Sequence, residues 1–199
     1  MEHLHRAHHA TPGVRTTVRL RSYTLVEMLI VITLLGIAGA LVIPHMVNRD
    51  SMNVQAAVRR IIGDICFAQS DALSHQEMHQ VHFYSSGNGY CLVRVTTPAT
   101  FSESSSATHD YLFDPLGGTG NSGQYIVDFS ADDRFTGTTI SSVAIDGATG
   151  RDITFDALGG TVTSSNLPGS GGSFVVSSGT ESYSITVSPF TGKLTVTKL

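Results

Sequence analysis

The run from Tyr23 to Val47, "YTLVEMLIVITLLGIAGALVIPHMV", constrains this chain more than any other stretch, because Glu27 is its one acid and it holds no Lys or Arg. As a helix, its twenty-five residues rise roughly 37 Å at about 1.5 Å per residue, enough to span a bilayer. A carboxylate within such a span is costly, by about 2.5–3.5 kcal/mol on insertion scales. Whatever the chain folds into must cover an apolar helix and give Glu27 a partner.

Charge is distributed unevenly around this run. Residues 1–22 carry Arg6, Arg15, Arg19 and Arg21 against Glu2, whereas residues 48–199 carry more acids than bases, and the whole chain nets −4. A basic head, an apolar run and an acidic body fit the positive-inside rule, with the head cytoplasmic and the body outside. The acidic body argues against a nucleic-acid partner, which calls for clustered Lys and Arg. A removed secretory signal fits poorly, since its apolar core is usually about 7–15 residues long. An uncleaved signal anchor fits the length and leaves Glu27 unexplained.

The stretch "S-Y-T-L-V-E-M-L-I-V-I", with its basic leader and Pro44 downstream, resembles the processing motif of type IV prepilins. That resemblance implies cleavage between Ser22 and Tyr23 by a prepilin peptidase and N-methylation of the new terminus at Tyr23. It also implies that Glu27 guides assembly by pairing with the amine of a neighbouring subunit, and that Pro44 bends the helix. Ser22 stands where the family usually has glycine, and Tyr23 where it usually has phenylalanine. A carboxylate in a first helical turn also meets the favourable end of the helix dipole.

Helical periodicity continues beyond the run. With Val54 as reference, Ala57, Val58, Ile61, Ile65, Ala68 and Ala72 fall within about 60° of it at about 100° per residue. Arg59, Arg60, Asp64, Asp71 and Glu77 fall on the other side, and Cys66 lies on the flank. The expectation is a nearly continuous helix from Tyr23 to about Met78. Beyond it, "QVHFYSS", a turn at "GNG" and "YCLVRVTT" read as a hairpin. Residues 98–124 read as a long loop, and further strands are expected at "QYIVDFS", "TTISSVAID", "RDITFDA", "SFVVSS", "SYSITVS" and "KLTVTK". The fold class expected is α+β and pilin-like, a long N-terminal helix packed on a mainly antiparallel β head. The domain plan is a leader at 1–22, a transmembrane and assembly helix at 23–47, and an extracytoplasmic head at 48–199. Within the head, an amphipathic helix covers 50–78 and the sheet 79–199.

"AVRRIIGDICFAQSDALSHQ", "ITFDALGGTV" and "YSITVSPFTGKLTV" are similar to minor pseudopilins of the GspH/FimT type. Cys66 and Cys91 could pair as a disulfide or stand as two separate buried thiols. "FDPLGG" (113–118) and "FDALGG" (155–160) read as strand-end turns in which glycine supplies positive φ.

Chemistry-bearing clusters are sparse. His75, His79 and His82 do not form the zinc-protease pattern, because Glu77 is one place late. Asp132, Asp133, Asp146 and Asp152 lack the alternating spacing of a calcium loop and read as solvated turns. "GSGGS" has no phosphate-loop lysine. No nucleophile–base set stands out, so neither a catalytic residue, a metal, a cofactor nor a small-molecule substrate is expected. The resemblance implies a structural subunit of a type II secretion pseudopilus in the bacterial inner membrane, its partners a prepilin peptidase, other pseudopilins or pilins, and membrane lipid. Alternatives are a minor pilin of a type IV pilus, serving assembly or DNA uptake, and a signal-anchored extracytoplasmic binding or hydrolytic domain.

Overall fold

A computed structural model describes residues 23–47, 49–104, 107–116 and 123–199, with the backbone alone at 41–47 and 49. The leader 1–22, with Ser22 and the leader histidines, lies outside the described residues. So does the side chain of Pro44. The chain divides into two compact units, Met1–Pro44 and His45–Leu199.

The single long helix is overturned. Two helices take its place, α1 at Leu25–Val47 and α2 at Arg49–His75. Pro44, which has no amide hydrogen to give to the carbonyl of Ala40, falls just ahead of the change from one helix to the next. Among the described residues no helix is long and apolar enough to cross a membrane. The part of α1 with described side chains, 25–40, covers roughly 24 Å at about 1.5 Å per residue. α2 also stops short of Met78. Gln76 takes a left-handed φ of 55° and the Glu77 amide returns to the Ala72 carbonyl at 3.1 Å, the closure of a Schellman-type helix end.

After α2 the chain is mostly β. The strands are β1 (Met78–Phe83), β2 (Gly89–Val95), β3 (Asp110–Tyr111), β4 (Ile126–Asp128), β5 (Thr138–Ile145), β6 (Asp152–Phe155), β7 (Thr161–Val162), β8 (Gly172–Ser178), β9 (Glu181–Val187) and β10 (Leu194–Lys198). The larger sheet runs β3-β2-β1-β6-β7, with β4 also paired to β2; the smaller runs β10-β9-β8-β5. Every pairing is antiparallel. The β1–β2 hairpin sets Met78 opposite Val95 and Phe83 opposite Tyr90. Its turn needs glycine twice. Gly87 has φ +75° and its carbonyl accepts the Ile140 amide, while a Cβ on Gly89 would lie 1.9 Å from the Val127 carbonyl oxygen.

α2 is the element on which both sheets pack, touching β1 and β6 of the larger and β5, β8 and β9 of the smaller. Its apolar stripe, Val54, Ala57, Val58, Ile61, Ile65, Ala68 and Ala72, is buried throughout. Across the sheets, the Phe83 and Phe174 rings meet with centroids 4.5 Å apart. Burial of the aliphatic stripe is non-directional, so it closes the core without fixing its register.

Asp64 supplies direction. The helical wheel sets it on the polar side, yet it is only 4% exposed. Its carboxylate accepts hydrogen bonds from Tyr90 Oη at 2.5 Å, Tyr125 Oη at 2.9 Å and Arg60 Nε at 2.7 Å. Arg60 in turn reaches Asp114 at 3.1 Å and lies over the Tyr125 ring. Burial raises the proton affinity of Asp64, and the Tyr90 hydrogen bond and the Arg60 charge oppose it. Removing one partner from a buried ion pair costs about 3–5 kcal/mol. Asp64→Ala, which leaves the buried Tyr90 hydroxyl without its acceptor and Arg60 with Asp114 alone, should therefore lower unfolding free energy by about 3–5 kcal/mol in urea denaturation of the detergent-solubilised chain. A loss under ~1 kcal/mol, as for a surface pair, would refute the role given to it.

Candidate functional site

The start of α1 is built from the Thr24-Leu25-Val26-Glu27 run. Thr24 Oγ1 accepts the Glu27 amide at 3.1 Å, and the Met28 amide reaches the Thr24 carbonyl at 3.1 Å. Thr24 thus caps the helix, in a Thr-x-x-Glu spacing that also suits a capping box. Tyr23 is left outside the helix, and Glu27 sits in its first turn. Around that carboxylate the surface is apolar and open: Tyr23, Leu25, Val26, Met28 and Leu29 are all exposed. Among the described residues Glu27 has no ion pair. Gly36 and Ala40 line one shallow groove of the same helix together with Leu29, Ile32, Thr33 and Ile37.

Both cysteines are free, and only one is buried. Cys66 is exposed on α2, while Cys91 lies inside β2. Burial pushes the Cys91 thiol up to about 12, with a hydrogen bond from Tyr84 opposing, so it stays protonated.

The three histidines separate. His79 and His82 are three apart in β1 and therefore face opposite sides of the sheet. His79 points inward and is fully buried, with Asp71 Oδ2 3.4 Å from its Nδ1 but no hydrogen bond of good geometry. His75, exposed at the end of α2, shares the same carboxylate at 3.1 Å. His82 points outward, Nδ1 at 2.6 Å from Asp152 Oδ1 and Nε2 at 3.0 Å from Glu103 Oε1. Because those two nitrogens diverge, the trio cannot converge on one ion. Among the described residues no group of three or more His, Cys, Asp or Glu is arranged to hold a metal.

His82 is instead the post of a strap. The segment 99–103 crosses the outer face of the larger sheet, held by Gln80 Nε2 to the Ala99 carbonyl (2.6 Å), by the Phe101 amide to Asp152 Oδ2 (3.2 Å) and by Glu103. The Phe101 ring is stacked between His82, 4.2 Å away, and His109, 3.9 Å away. Glu103 also accepts from the Ser85 amide and hydroxyl, each at 2.7 Å. Burial works against its ionisation, but these hydrogen bonds and that from His82 hold its carboxyl below the ordinary value. Beside the strap lies a cleft of about 390 Å³ lined by Gln80, Asp146, Arg151, Asp152 and Thr154 among others. Both His82 nitrogens face carboxylates rather than a hydroxyl or thiol, so this imidazole is not placed to activate a nucleophile.

The acids read as solvated turns do structural work. Asp132 caps the short 3-10 turn Asp133–Phe135 and binds Arg134. Asp146 accepts the Ser170 and Gly171 amides, and Asp152 holds His82. The repeated Phe-Asp turns share one device: Asp114 accepts the Leu116 amide, and Asp156 accepts those of Leu158 and Gly160. Gly159, at φ +79°, supplies the left-handed step expected in the second.

His79 gives this region a pH dependence with a definite sign. Burial lowers its proton affinity, and the Asp71 charge opposes this. As pH falls through about 6.5 the unfolded chain takes up a proton that the folded chain resists, so stability is lost on the acid side. Thermal melts between pH 7 and 5 should show a shallower acid loss for His79→Gln than for the parent; identical slopes would contradict the assignment.

No family model, curated protein or solved structure matches the chain, so its relationships rest on its own residues.

Proposed function

We propose that the chain is a minor structural subunit of a type II secretion pseudopilus, processed between Ser22 and Tyr23 and N-methylated at Tyr23. The observation that carries this reading is the first turn of α1. A carboxylate with no ion pair among the described residues stands there in a field of exposed Leu, Val, Ile and Met side chains, just behind a capping threonine. An apolar helix surface of that extent has to be covered by lipid or by other apolar helices. A lone acid in such a setting calls for a cation, and a cleaved, methylated amine at Tyr23 of a neighbouring subunit supplies one.

On this reading residues 23–47 hold the unassembled subunit in the bacterial inner membrane, leader cytoplasmic and head periplasmic. The partners are the prepilin peptidase, other pseudopilins and membrane lipid. The subunit has no catalytic role and takes no cofactor. The acidic head, with Lys193 and Lys198 its only lysines, favours secretion over a pilus that takes up DNA, whose heads would need exposed cations.

Glu27→Ala should leave the amount of membrane-inserted protein unchanged while abolishing its incorporation into filaments, scored by shearing and immunoblotting. Glu27→Asp should restore part of the incorporation. Normal incorporation of Glu27→Ala would sink the assembly role and favour an anchor that merely resembles a prepilin.

A further inference from the structure

Among the described residues, the smaller sheet has one open edge. At β5 the outer side is partly taken, since the Ile140 amide donates to the Gly87 carbonyl at 2.8 Å. At the opposite end, among the described residues, β10 pairs only with β9. Hydrogen bonds just beyond β10 fix which of its backbone groups point outward. The Leu199 amide donates to Ser182 and the Lys193 carbonyl accepts from Ser188. Antiparallel pairs alternate, so the odd-numbered residues 193–199 turn their backbone groups to β9. Leu194, Val196 and Lys198 turn theirs away from the sheet. Among the described residues no other backbone hydrogen bond reaches those three.

Side chains sharpen the point. Leu194 and Val196 stand opposite Val187 and Ile185, which are buried on the inner face. Val196 belongs to that face yet remains 39% exposed, past the apolar cover that its neighbours receive. The one charge on the strand, Lys198, is drawn to Glu181 on β9 at 2.6 Å. The strand carries no proline and no bulge, and of the devices that ordinarily blunt an edge it has only that one lysine, held on β9.

We propose that β10 is a self-association edge, pairing antiparallel with β10 of a second copy about a two-fold axis at Val196. The pattern Leu-Thr-Val-Thr-Lys suits that occupant. Centring the axis on Val196 sets Val196 against itself, Thr195 against Thr197 and Leu194 against Lys198. Threonine pairs across strands are favourable, and no like charges oppose. All three outward-facing residues then exchange both backbone bonds with an outward-facing residue of the other copy. The interface is closed and isologous, so it ends at a dimer. It does not depend on the secretion reading.

Cysteine pairing in the full chain, in membranes and in a Cys66→Ser background, tests both the contact and its register. Val196→Cys should give a disulfide-linked dimer on mild oxidation, because a hydrogen-bonded pair places Cα atoms about 5.5 Å apart, inside the roughly 4.4–6.8 Å a disulfide accepts. Thr195→Cys alone and Thr197→Cys alone should not link, whereas co-expressing the two should. Adding Val196→Pro to that co-expressed pair removes an outward amide and should abolish the link, with the head's circular dichroism unchanged. Equal linking at all three positions would mean association through residues 23–47 alone and would overturn the proposal. Failure of Val196→Cys to link would do the same.

Discussion

Two sheets share one helix, and that contact sets the rest of the head. Each sheet needs an apolar cover for its inner face, and the stripe from Val54 to Ala72 on α2 serves both. Hydrophobic burial alone would let the helix turn or slide, since it has no preferred direction. The Asp64 carboxylate removes that freedom by accepting two tyrosine hydroxyls, one from β2 and one from the segment before β4, besides its own helix's Arg60. We hypothesise that this ionic group is kept for uniqueness of packing rather than for raw stability, a role attested for buried polar groups in some proteins. An apolar replacement of Arg60 and Asp64 together that left a single well-packed state would count against it.

Much of this was legible because the relevant signals are periodic. The stripe on α2 follows from spacing alone, and the β1–β2 hairpin follows from alternation around Gly87 and Gly89. Asp64 was not legible. A helical wheel places a carboxylate on the polar flank and knows nothing of two tyrosines arriving from β2 and from the segment before β4. The expected continuous helix failed for a related reason. Apolar and amphipathic periodicities join smoothly across residues 44–49, so nothing in that spacing marks the end of α1 at Val47. The strap at 99–103 sits in a Ser- and Thr-rich stretch that reads as loop. Its order comes from Gln80, His82 and Asp152 beneath it. The parity of positions 79 and 82 did carry a usable signal, since a three-residue offset in a strand separates two side chains onto opposite faces.

The chemistry of the head is inward-looking. His82, Glu103, Asp146 and Asp152 all spend hydrogen-bonding capacity on neighbouring backbone or side chains. Such groups fasten loops to a sheet. The surfaces that ask for company are elsewhere, along the apolar side of α1 and at the open edge of β10. The first suits burial among other apolar helices, and the second suits a second copy.

The central claim is that the chain is processed as a prepilin, and an intact mass addresses it most directly. The protein should be recovered from membranes that contain a prepilin peptidase and weighed whole. The account predicts a species beginning at Tyr23 and heavier by one methyl group. A full-length chain, or one cut elsewhere, would contradict it and leave Glu27 as an acid in an ordinary anchor.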